Sequence, residues 1–188
     1  MNGQRQEEYA ALRATIRERG TARVVLVCAA IAVWAALVVA IAAAVPIPAA
    51  ALVPLLVLVA AFEAVCSLHA GVERVGRYLQ VFHEDAWEEA AMAYGQRFPG
   101  GGPDALFAVV FWMAAVVNLL PLLLVTPTVM EAAPIGLAHL LFMARVLQAR
   151  RRSAGQRVED RDRFHTLAAA SRQPPPTSPP ASPDRTRP

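Results

Sequence analysis

The sequence predicts an all-α, polytopic membrane protein, a four-transmembrane-helix bundle of two antiparallel hairpins with cytoplasmic helical extensions. Three observations predict this fold class. The chain of 188 residues is 56% hydrophobic, more than is usual for a soluble domain. It contains four apolar stretches close to the length that crosses a bilayer. All 18 basic residues are arginines, and they lie outside these stretches or near their ends.

The first predicted span covers residues 24–45, which carry no charge. It follows a segment, residues 1–23, predicted to form a cytoplasmic amphipathic helix. A cleaved signal peptide is the alternative interpretation, because Ala42, Ala43 and Ala44 resemble a cleavage site. The long, glutamate-containing region before the span and the length of the apolar run both favour a retained transmembrane helix.

The other three spans are predicted at about 52–70, 105–125 and 132–149. Pro121 lies inside the third span and predicts a kink near Val117, because proline cannot donate the helical hydrogen bond. The fourth span is the least apolar. The loops between spans one and two and between spans three and four are short and contain proline, which predicts two tight hairpins.

Arginine placement predicts the orientation. No arginine lies between residues 24 and 73 or between residues 99 and 144. The positive-inside rule therefore places the N-terminus, the middle loop and the C-terminus in the cytoplasm. With three spans, the cluster at residues 150–152 would lie outside. The arginine- and alanine-rich composition is typical of a bacterial, GC-rich genome, so we expect the inner (cytoplasmic) membrane.

The predicted membrane domain covers residues 24–149, and it includes a segment outside the bilayer between spans two and three. Span two is predicted to continue as a cytoplasmic helical extension over residues 71–98. Its apolar positions recur at three-four spacing and form a seam that would pack on the N-terminal helix or on a second copy. The seam residues are Val72, Val75, Leu79 and Phe82. An interfacial helix lying on the leaflet is the alternative, which the many acidic residues disfavour. Residues 150–170 form a charged cytoplasmic segment, and residues 171–188 a disordered Pro/Ser-rich tail.

Span one carries alanine at every fourth position, at Ala32, Ala36, Ala40 and Ala44. Small side chains let helix backbones approach closely in lipid, so this row predicts a helix-packing face. The face would lie either inside the bundle or at an oligomer interface. The simpler interpretation is that alanine is abundant throughout this chain.

Three polar residues within the spans form a candidate intramembrane polar cluster. Glu63 lies roughly 16 Å, and Asn118 and His139 roughly 12 Å, from the outer boundary, at about 1.5 Å per residue. These depths predict that the side chains meet inside the bundle. A membrane-embedded carboxylate indicates a proton, ion or substrate site. The alternative is a protonated glutamate that hydrogen-bonds to a neighbour and holds helices together.

A second set of residues contains metal-ligand types. Cys66, His69 and Glu73 share one helix face, and Cys28 is expected at a similar depth. Thiolate, imidazole and carboxylate groups bind zinc or iron, so a metal or haem site is a hypothesis. One helix with this spacing is not a specific metal signature, and His69 would equally serve at the membrane boundary. We therefore predict no cofactor and keep haem or metal as the alternative.

The sequence does not identify an activity. The familiar nucleotide-binding and hydrolase motifs are absent, and no catalytic residue is predicted. We predict a non-enzymatic accessory, scaffold or regulatory subunit that acts through helix–helix contacts. The alternatives are an oligomeric transporter or channel that uses Glu63, and a membrane redox or metal-binding subunit. The expected partners are the lipid bilayer and either a second copy or another membrane protein. A net charge of +3 is too small to indicate nucleic acid.

Overall fold

A computed structural model describes residues 3–44, 47–98 and 103–172. The last residue of predicted span one and nearly all of the predicted Pro/Ser-rich tail lie outside these described residues. The described residues form five α-helices and two 3₁₀ turns, with no strand among them, which confirms the all-α prediction. The helices are α1 (Gly3–Ala44), α2 (Leu52–Phe82), α3 (Ala86–Arg97), α4 (Pro103–Val117) and α5 (Val129–Arg172).

Three helical segments are long and apolar enough to cross a membrane. They are α1, residues 48–82 (the first 3₁₀ turn with α2) and α5. This finding supports the prediction of a transmembrane protein. A shorter apolar helical segment, residues 107–123, corresponds to predicted span three.

The third predicted span is interrupted rather than kinked. Helix α4 ends at Val117, and a second 3₁₀ turn follows at Leu120–Leu123. The amide of Asn118 still bonds to the carbonyl of Ala114, but the amide of Leu119 already bonds only three residues back, to Val116. Pro121 has no N–H to offer, so the α-helical pattern cannot continue through it. The sequence located the irregularity correctly and understated its extent.

Two predicted spans are continuous, as single helices, with the charged segments beside them in the described chain. Helix α1 runs through both the predicted N-terminal helix and the first span, and α5 runs through span four and the charged segment after it. At the start of helix α5 the Glu131 carboxylate accepts hydrogen bonds from the Thr128 amide and hydroxyl at 3.0 and 2.8 Å.

The extension of span two is divided, contrary to the predicted continuous helix. Helix α2 ends at Phe82, and α3 begins at Ala86. Between them Glu84 has a φ of 51°, the left-handed conformation that commonly terminates a helix. Asp85 is extended and accepts hydrogen bonds from the amides of Trp87 and Glu88, so it caps α3. The capping side chain competes with helix continuation, which apolar periodicity alone did not show.

The helices pack around α2. Helix α1 packs along α2, which also contacts α5, and α4 packs on α5. In the apolar half the ring of Phe62 meets Phe111 and Phe142 edge-on, at centroid distances of 5.3 and 5.8 Å. In the charged half the fully buried Leu79 belongs to the predicted seam, and Phe82 lies against Phe164 of α5. Two of the four seam residues, Leu79 and Phe82, therefore pack within the described fold.

Candidate functional site

A buried polar network lies at the end of α4. The Asn118 amide nitrogen donates to the carbonyl of Ala51 at 2.8 Å and lies 3.0 Å from His139 Nε2. The Asn118 oxygen accepts from Trp34 Nε1 at 3.2 Å. His139 Nδ1 lies 2.8 Å from the carbonyl of Ile135, which can only accept. The histidine is therefore assigned its proton on Nδ1, and Nε2 accepts from Asn118.

This network uses neutral groups that satisfy one another. Asn118 and His139 are each 1% exposed, so unpaired polar atoms there would be costly. Through one amide, Asn118 connects α1, the first 3₁₀ turn (Pro48–Ala51) and α5. Chemically, the arrangement is suited to fixing helix positions, since every polar group of the pair has a partner.

Glu63 does not join Asn118 and His139. Its carboxylate accepts a hydrogen bond from Arg145 at 2.8 Å, and both side chains are partly exposed on the surface of the bundle. The Arg145 guanidinium also lies 5.9 Å from the centre of the Phe62 ring. The structure thus brings together two members of the predicted polar cluster and gives the third a cationic partner. This pairing reduces the cost of a carboxylate within an apolar helix.

Two of the four candidate metal ligands have arginine partners. Cys28 is exposed and Cys66 half-buried, with neither in a disulfide. His69 Nδ1 lies 2.8 Å from an Arg23 nitrogen, and Glu73 pairs with Arg157 at 3.1 Å. Within residues 3–44, 47–98 and 103–172, no three His, Cys, Asp or Glu side chains are grouped closely enough to hold a metal ion.

The alanine row of α1 faces away from the bundle. Ala32, Ala36, Ala40 and Ala44 are all exposed. The buried positions of the same helix are Val27, Ala30 and Trp34, and they belong to the core on the face that packs on α2. Among the described residues, no helix covers the row, and the oligomer interface stays a prediction.

A charged junction, formed by Tyr9, Arg13, Asp85 and Glu88, joins α1 to α3. Arg13 donates to Asp85 at 2.6 Å and to Glu88 at 2.9 Å, and the Tyr9 hydroxyl donates to Asp85 at 2.9 Å. Burial by itself raises the pKa of the Asp85 carboxyl. The hydrogen bonds from Tyr9 and the α3 amides, with the charge of Arg13, nevertheless hold that pKa below its ordinary value. Sequence analysis missed this junction, although Asp85 followed by helix-forming residues is a recognisable capping signal.

A cavity of about 400 Å³ lies where the apolar and charged halves meet. Its wall includes Arg23 of α1, Phe62 of α2, Phe107 of α4 and Arg150 of α5, so four helices enclose it. The sequence placed Cys66, His69 and Glu73 on one helix face, and all three line this cavity. Their shared face was predictable from spacing, but the surrounding arginines come from distant segments of the chain.

Comparison with known proteins gives no relative. The chain matches no protein-family model, and no curated protein or solved structure matches it significantly.

Proposed function

We propose that the chain spans the inner membrane of a bacterium four times, as two antiparallel hairpins with both termini in the cytoplasm. Arginine-rich segments supply the support, because they lie at one end of the helices. At that end α1, α2 and α5 continue beyond their apolar parts and α3 packs beside them. The two 3₁₀ turns, which carry no charge, contact each other at the opposite end. This distribution agrees with the positive-inside rule.

The fourth crossing in this proposal is the segment containing α4. An α-helix of this length extends about 22 Å at 1.5 Å per residue. The following 3₁₀ turn adds about 8 Å at 2 Å per residue. Together they reach the thickness of a hydrocarbon core, about 30 Å. The interruption at Asn118 is tolerable in lipid because the side-chain amide of this residue forms its hydrogen bonds within the bundle.

We further propose that the protein is a non-enzymatic accessory, scaffold or regulatory subunit that acts through contacts between membrane helices. The observation that carries this proposal is the uncovered alanine row of α1. Exposed apolar surface is normal for a helix in lipid. A row of small residues at four-residue spacing is different, because it offers little contact to lipid and allows close approach of another helix. The opposite face of α1 already packs on α2, so a partner would use this row.

The transporter and redox alternatives have less support from the geometry. Glu63 is paired with Arg145, and Asn118 with His139 forms a separate, satisfied network. An ion pathway through all three residues would need these pairs to separate. Two of the candidate metal ligands, His69 and Glu73, have arginine neighbours.

The proposal is tested by the mass of the assembly. Native mass spectrometry of the full chain in lipid nanodiscs should show a complex of fixed stoichiometry, with a second copy or another membrane protein. Ala36→Leu should raise the dissociation constant of the complex at least tenfold, since a bulky side chain in the row separates the helices. Ala42→Leu is the matched control, because Ala42 is also exposed on α1 but lies off the row. A monomeric wild type, or equal effects of both variants, would contradict the proposal.

A further inference from the structure

The cavity has two chemically different walls. Phe62, Phe107 and Val146 form an apolar part that adjoins the membrane-spanning half of the bundle. Arg150 and Arg152, one turn further along α5, belong to the charged half. A ligand that fills the cavity would therefore contact hydrocarbon on one side and guanidinium groups on the other.

Helix lengths explain why the cavity exists. Helices α1, α2 and α5 continue past the apolar half, whereas α4 begins at Pro103, near the boundary. Within the described residues, α4 does not continue beyond Pro103 alongside the three longer helices. Arg23 lies near the same boundary, with its guanidinium 5.0 Å from the centre of the Phe107 ring. The opening is thus a feature of the fold and lies at the level where lipid headgroups begin.

The charged wall has a cationic excess. It carries three acidic residues and six arginines: Arg23, Arg77, Arg145, Arg150, Arg152 and Arg157. All three acidic side chains already have cationic partners. Glu63 pairs with Arg145 at 2.8 Å, Glu73 pairs with Arg157 at 3.1 Å, and Asp160 lies 3.7 Å from each of two arginines outside the wall.

Arg150 and Arg152 are the groups best placed to bind an anion. Within the part of the chain that the structure describes, neither side chain forms a hydrogen bond or an ion pair. Their neighbour Arg151 is also exposed but does not line the cavity. The three consecutive arginines therefore differ in geometry while sharing the same local charge.

We propose that this cavity binds one anionic phospholipid. The phosphate contacts Arg150 and Arg152, and the first part of an acyl chain lies on Phe62, Phe107 and Val146. Guanidinium groups bind phosphate oxygens through paired, charge-assisted hydrogen bonds. Basic pockets between membrane helices recognise anionic headgroups in this way. The volume falls at the lower end of the range for ligand pockets, roughly 300–1,000 Å³, which suits a headgroup whose chains extend into the bilayer. A small soluble anion would leave the apolar wall uncovered.

The experiment titrates the full chain, purified in detergent, with phosphatidylglycerol or phosphatidylcholine and counts bound lipids by native mass spectrometry. One phosphatidylglycerol should bind at least tenfold more tightly than phosphatidylcholine. Arg150→Gln and Arg152→Gln should each weaken that binding about fivefold, the effect of one basic residue near an anionic headgroup. Arg151→Gln should weaken it less than twofold. Arg150→Lys keeps the charge and should retain more affinity than Arg150→Gln. Circular dichroism and the elution profile establish that each variant is folded.

Three results would overturn the inference. Equal losses for all three glutamine variants would indicate a general attraction to a basic segment. Equal affinity for phosphatidylglycerol and phosphatidylcholine would exclude headgroup recognition. Glycerol 3-phosphate, which has the phosphate but no acyl chain, should bind at least a hundredfold more weakly than phosphatidylglycerol. Equal affinity would show that the site takes a soluble anion.

Discussion

Replacing Asn118 with leucine tests whether one buried amide holds the bundle together. The substitution nearly preserves side-chain size and removes hydrogen bonds to Trp34, Ala51 and His139 at 3.2, 2.8 and 3.0 Å. Hydrogen bonds between membrane helices contribute about 0.6 kcal/mol each on average. The two bonds to Ala51 and His139 therefore amount to about 1 kcal/mol. The indole N–H of Trp34 also loses its acceptor, and a buried donor without a partner costs about 1–3 kcal/mol. We expect a loss of about 2–4 kcal/mol in the free energy of unfolding.

The measurement is unfolding by sodium dodecyl sulfate in mixed micelles, followed by circular dichroism. Gln148→Leu is the control, because Gln148 is an exposed polar residue of α5 and should change stability by less than about 0.5 kcal/mol. A double-mutant cycle of Asn118→Leu with Trp34→Phe isolates one bond and should give a coupling of about 0.6–1.7 kcal/mol. An Asn118→Leu protein as stable as the wild type, or a coupling near zero, would refute the network.

Three further substitutions test the charged junction, the helix break and the surface ion pair. Asp85→Asn should lower hydrogen-exchange protection of the α3 amides about tenfold, as expected for losing about 1.4 kcal/mol, while Glu89→Gln should not. Because the pKa of Asp85 is lowered on folding, its stabilisation is present above the ordinary aspartate pKa, about 3.9, and is lost as the pH falls through the lower folded value. Glu84→Gly should be tolerated in the unfolding assay, whereas Glu84→Val should cost about 1–2 kcal/mol, because a β-branched residue resists the left-handed conformation. Arg145→Leu should cost about 2 kcal/mol by leaving the Glu63 carboxylate facing lipid, and adding Glu63→Gln should restore most of that loss; equal stability of single and double variants would count against the pair.

The apolar parts of this fold could be predicted from the sequence because hydrophobicity and helix periodicity are local properties. The residues of α1, α2 and α5 are visible as long apolar stretches, and Pro121 marked the end of α4. Which polar groups pair could not be predicted in the same way. Depth along a helix placed Glu63 near Asn118 and His139, but the direction around the helix axis decides which groups meet. Glu63 lies on the outer face of α2 and meets Arg145, whereas Asn118 points inward.

The break between α2 and α3 shows a different limit. Apolar spacing continued through residues 71–86, so periodicity favoured one long helix. The competing signal is a single residue, Asp85, whose capping bonds to the amides of α3 and whose ion pair with Arg13 both favour a new helix start. The capping bonds stabilise a new helix start by about 1 kcal/mol. This decides the structure here, because continuing a solvent-exposed helix would stabilise the chain by little more than that.

The continuity of α1 connects the proposed partner surface to the charged junction. Ala36 and Arg13 lie on the same helix, about 35 Å apart at 1.5 Å per residue. A partner that tilted α1 by about 10° at the alanine row would move Arg13 by about 6 Å over that length. This exceeds the reach of its hydrogen bonds to Asp85 and Glu88, so assembly in the membrane should alter the junction. Hydrogen exchange of the α3 amides should therefore differ between the assembled wild type and dissociated Ala36→Leu, and not between wild type and Ala42→Leu. Identical exchange in all three proteins would show that α1 accepts its partner without tilting.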